Sequence, residues 1–155
     1  MRNGGSEEFT ILINRKNNGD CMKNKMIKFT IRFRFPIEKY PEPLRIINKA
    51  MNQLPNEVIE FLIKNPIMFS TEHKDFRANA LCIGHEDFKD EKYLIHLNYH
   101  VWDYDEKEII RIIHHEIAHV FLKHRTSDKS WSENHEEYDK REEETDKLVE
   151  SWKKK

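Results

Sequence analysis

Two cysteines and four glycines in 155 residues leave this chain little with which to cross-link itself or turn tightly. Cys21 and Cys82 stand far apart in unlike surroundings, so no disulfide framework is on offer, and free thiols in a reducing, cytoplasmic compartment are the expectation. Neither sign of charge is in excess: 27 basic side chains balance 28 acidic ones, a formal net charge of −1. That balance projects no field to draw in nucleic acid or an anionic membrane, so any partner must be recognised locally. No apolar run approaches the roughly 18 residues of a membrane span, and the first twenty residues lack the apolar stretch of a secretion signal.

What the chain does contain is nine Phe, five Tyr and three Trp within a 37% hydrophobic composition, enough for a folded core. A 35% charged fraction gives that core a heavily ionised surface. Gly4, Gly5 and Gly19, with Asn3, Asn14, Asn17 and Asn18, mark residues 1–25 as a polar leader that adds little to the fold. Residues 26–155 are expected to form one domain. Within it Phe29, Ile31, Phe33 and Phe35 alternate with Thr30, Arg32 and Arg34, the period-two pattern of a half-buried strand. Arg32 and Arg34 share its polar side, which reads as a solvated face rather than a nucleic-acid contact.

Pro36, Pro41 and Pro43 close that strand. Leu44, Ile47, Met51 and Leu54 then recur at helical spacing, and Pro55 opens a second helix carrying Val58, Ile59 and Leu62. The short apolar runs PIMFS, ANALCIG and KYLIHLNY predict three strands. Asp103 or Asp105 can cap the next helix, whose acidic first turn suits the positive end of the helix dipole. A polar stretch, RTSDKSWSENH, leads into a last helix. The expected class is α+β, with a small mixed sheet packed on the helix that contains IIRIIHHEIAHVFLKH.

That segment is the most apolar in the chain, yet it holds four histidines and a glutamate. His115, Glu116 and His119 spell H-E-x-x-H, which on a helix converges two imidazoles on one point with a carboxylate beside them, the arrangement of a metal with a general base. Chance matches are expected roughly 0.06 times in a chain of this composition, so context has to add weight. It does: on a helical wheel His115, His119 and Glu116 lie within about 100° of one another, opposite the stripe of Ile109, Ile113, Ile117, Val120 and Phe121. His124 falls about 180° from His115 on the same wheel, where it anchors the helix end instead.

A hydrolytic zinc site needs a third protein ligand and a position open to water. The longer motif ending in a histidine ten residues after His115 is absent, because Leu122 and Arg125 occupy its glycine and histidine positions. In the last helix Tyr138, Thr145, Leu148, Val149 and Trp152 define an inward stripe. Glu142 lies nearest to it, about 65° away, with Glu144 at about 95° and Glu143 nearly opposite. Glu142 is the preferred third ligand, and His135 and Glu144 are the alternatives. Asp146, one turn on, can accept the outer N–H of a metal-bound histidine. His135, Tyr138 and His114 are the candidate donors to an oxyanion.

HEIAHVFLKH followed by EEETDKLV resembles the H-E-x-x-H zinc metallopeptidases of the gluzincin kind, most closely the small ImmA/IrrE-like peptidases, over residues 90–152. The resemblance implies His115, His119 and Glu142 as zinc ligands, Glu116 as catalytic base and Asp146 as support. It also implies a minimal zincin fold, in which the strand KYLIHLNY is the edge that an extended peptide joins by main-chain hydrogen bonds. Thr145 stands where the family has alanine, a mild departure. The expected activity is zinc-dependent endopeptidase hydrolysis of a protein or peptide substrate. The alternative is a non-catalytic regulatory or binding module held together by zinc.

Overall fold

The computed structural model describes residues 7–15, 25–33, 41–65, 67–72, 78–82, 93–124 and 135–153. Cys21, Arg34, Phe35, residues 125–134 and the last two lysines lie outside them. The first described element corrects the sequence reading. Glu7–Arg15 forms strand β1, which pairs antiparallel along its whole length with β2, Lys25–Phe33. Part of the supposed leader is thus sheet. Glycines and asparagines flank the strand on both sides and swamped, in composition, the alternation of Phe9, Ile11 and Ile13 between them.

Two helices follow, α1 (Pro41–Asn52) and α2 (Asn56–Lys64), with Pro55 at the entry of the second. Ile47, Met51, Leu54, Val58, Ile59 and Leu62 all have no solvent exposure, so the helical spacing read from the sequence becomes one continuous core. These helices carry the chain from β2 to the parallel strand β3 (Ile67–Glu72), the long crossover that parallel pairing requires. Strand β4 (Ala78–Cys82) and strand β5 (Tyr93–Asn98) complete a five-stranded sheet in the order β1-β2-β3-β5-β4. The three strands predicted after Pro66 are present, but their order in space is not their order in sequence.

That order decides which strand is available to a peptide. β5 lies between β3, to which it is parallel, and β4, to which it is antiparallel, so its backbone groups are engaged on both sides. KYLIHLNY is therefore an inner strand, and the described sheet ends at β4 instead. The burial of Leu94, Ile95, His96, Leu97 and Asn98 in succession fits an inner strand. Ile67, Phe69, Ile95 and Leu97 join the helical core, whereas Ser70 and His96 pair by a buried side-chain hydrogen bond outside it.

A short 3-10 turn, Tyr99–Asp103, leads to α3 (Glu106–Phe121). Asp105 caps α3, its carboxylate accepting the Glu108 N–H at 3.0 Å. α3 lies against α1, α2, β4 and β5, and its inward residues Ile109, Ile113 and Ile117 are almost wholly buried. The last helix, α4 (His135–Trp152), lies against α3 and reaches the core through Val149 and Trp152. The protein is thus a mixed helix-and-strand fold compatible with the α+β expectation. Among the described residues no helix is long and apolar enough to cross a membrane.

Candidate metal centre

The helical repeat sets His115 and His119 one turn apart on α3, and both rings leave the helix toward α4. Their Nε2 atoms are 3.1 Å apart, with ring centroids 4.7 Å apart and planes at 80°. From α4 the Glu142 carboxylate meets both rings: Oε2 is 3.0 Å from His115 Nε2 and Oε1 is 3.1 Å from His119 Nε2. Two imidazole nitrogens and a carboxylate thus form a triangle with sides of 3.0–3.1 Å. Among the described residues these three side chains are the group able to hold a metal ion. Ligands of tetrahedral zinc at about 2.0–2.1 Å would stand roughly 3.3 Å from one another, so the triangle needs to open only slightly to accept the ion.

Electrostatics tie the three together. Burial works against a charge on His115, but the hydrogen bond to Glu142 and the fields of Glu116, Glu142 and Asp146 outweigh it and raise the His115 pKa. Hydrogen bonds from His115 and His119 hold the Glu142 carboxyl far below the usual carboxylate range. Charge on the imidazoles and charge on the carboxylate thus favour one another across the triangle.

The outer nitrogens are also engaged. His115 Nδ1 lies 3.1 Å from Asp146 Oδ1, the partner expected from the sequence. His119 Nδ1 lies 2.9 Å from His124 Nδ1 and 3.3 Å from Thr145 Oγ1. Neither contact is expected from the sequence. A helical wheel sets His124 on the far side, but α3 ends at Phe121 and Lys123 takes a left-handed φ of 57°, which folds His124 back onto His119. Thr145, read as a mild departure from a family pattern, is completely buried and touches His119; its position on the inward stripe was the available signal.

Glu116 is buried at 6% exposure beside this cluster, and its charge is felt by both His115 and Tyr138. Tyr138 stands one turn before Glu142 on α4 and bonds to its carboxylate. Tyr138 is nonetheless 41% exposed, so the inward stripe read from the sequence does not extend to it; partial desolvation, then the charges of Glu142 and Glu116, push the phenol pKa up. The other suggested residues fall elsewhere. His114 donates from Nε2 to Ala50 O at 2.8 Å and packs edge-on against Trp152, so it is a core histidine, neutral because burial lowers its pKa. His135 is exposed at the start of α4, and Glu144 faces His124 at 3.7 Å. Neither joins the triangle.

Compared with protein-family models, with curated proteins and with solved structures, the chain matches none.

Proposed function

We propose that this protein is a zinc metalloendopeptidase of the zincin kind, with His115, His119 and Glu142 as ligands and Glu116 as the base. The observation that carries the reading is the convergence of Nε2, Nε2 and a carboxylate within 3.1 Å, next to a buried glutamate that is not part of the triangle. A structural zinc site would use four protein ligands, whereas three leave a position for water. The placement of α3 alongside β4, the terminal strand of the described sheet, supports a zincin-like cleft in which an extended peptide lies along β4.

Zinc at this site would polarise the scissile carbonyl and acidify a bound water. Glu116 takes the proton of the attacking water and returns it to the leaving amine. Its burial keeps competing solvent away from the carboxylate. Tyr138 gives its O–H to the Glu142 carboxylate from one turn away on α4 and so steadies that ligand. Asp146 accepts the His115 Nδ1–H and so directs that ring's Nε2 lone pair inward.

Metal analysis and cleavage of an unstructured protein, run on wild type, Glu116→Gln and His119→Ala, test the proposal. Wild type should carry one zinc per chain and cut. Glu116→Gln should keep the zinc and lose activity by at least about a hundredfold, and His119→Ala should lose both. Wild type that binds no zinc, or Glu116→Gln as active as wild type, overturns it.

A further inference from the structure

We infer that His124 is a positioning residue for His119: its Nδ1 accepts the His119 Nδ1–H and thereby fixes the ring with its Nε2 lone pair toward the metal. The inference rests on the metal-site reading above. Because the tautomer of a ligand is set by the bond its other nitrogen makes, each metal-bound histidine needs an acceptor behind it. For His115 that acceptor is Asp146. For His119 it is another imidazole, 2.9 Å away, with the rings 5.2 Å apart and tilted by 58°.

The backbone places His124 for this purpose. Leu122 N–H donates to Ala118 O at 2.8 Å, and Lys123 N–H donates to Val120 O at 3.0 Å. With Lys123 left-handed, His124 N–H then closes back on His119 O, also at 3.0 Å. The residue being positioned and the residue positioning it are thus joined through main chain and side chain alike. A lysine holds the left-handed conformation that glycine takes most easily. For His124 to accept at Nδ1, its proton must sit on Nε2, and Glu144 Oε2 lies on that side at 3.7 Å to favour it. Thr145 is the weaker acceptor: its Oγ1 is 3.3 Å from His119 Nδ1, and its own proton is given to Arg141 O at 2.8 Å.

The test uses the full chain labelled with nitrogen-15, with Zn²⁺ added. Wild type should show His119 protonated at Nδ1 and a nitrogen–nitrogen coupling through the hydrogen bond to His124 Nδ1, a signal that mere packing does not produce. His124→Leu keeps the bulk without the acceptor and should weaken zinc binding 10- to 100-fold, the usual loss when such a partner is removed. His124→Asn, which sets an amide oxygen near the lost Nδ1, should restore most of that affinity. If wild type binds zinc and His119→Ala does not, but the coupling is absent and His124→Leu binds zinc as tightly as wild type, the inference fails while the metal site stands. If wild type binds no zinc at all, both fall together. Should His124→Leu not fold, the coupling in wild type decides.

Discussion

At the scale of single residues, His115 and Glu142 make stability depend on pH in a direction that zinc reverses. In protein stripped of metal, the raised His115 value means that its contribution is complete below the ordinary histidine value of 6.5 and is lost as pH rises through the folded one. The depressed Glu142 value contributes stability above the ordinary carboxylate value of 4.5, lost as pH falls below it. Denaturant titrations of chelated protein should therefore give greatest stability between these two values, and Glu142→Gln should flatten the decline on the alkaline side. With zinc present, affinity should instead grow as pH rises, because the ligands must shed protons. Residue identity was the most legible level in the sequence: H-E-x-x-H named its own three residues, and the stripe on the last helix singled out Glu142 from three neighbouring glutamates. His124 escaped because a helical wheel keeps turning by about 100° per residue after the real helix has stopped.

Among the elements, α3 carries both the site and much of the core, and these depend on different residues. Asp105→Ala removes a cap remote from the metal and should cost about 1 kcal/mol in denaturant unfolding without altering zinc affinity. Ile117→Ala opens the wholly buried side of the same helix and should cost about 2–5 kcal/mol. Helix existence and facing were readable because the apolar spacing of Ile109, Ile113 and Ile117 is set by the same geometry that buries them. Strand order was not. KYLIHLNY and ANALCIG are both short apolar runs, and nothing local to either states which lies inside the sheet; that choice is made by pairing partners distant in sequence. The strand at Glu7–Arg15 was hidden for a related reason, since its partner and not its composition makes it a strand.

For the whole molecule, the arrangement is uneven in how firmly its parts are held. α3 buries nine of its sixteen residues, while α4 buries only Thr145, Val149 and Trp152 of its eighteen. Zinc should raise the melting temperature in proportion to the logarithm of its concentration, and Glu142→Ala should abolish most of that rise. Hydrogen exchange should locate the effect: on chelation, amides of α4 should exchange faster while those of α3 change little. The triangle of ligands also has a consequence in the unfolded chain. Its members are near neighbours in space but Glu142 follows His119 by 23 positions, so an ion held by both would close a loop much as a disulfide does, stabilising by removing freedom from the denatured state. The last two helices would thus acquire, only while metal is supplied, a cross-link that can be put in and taken out without any change of covalent structure.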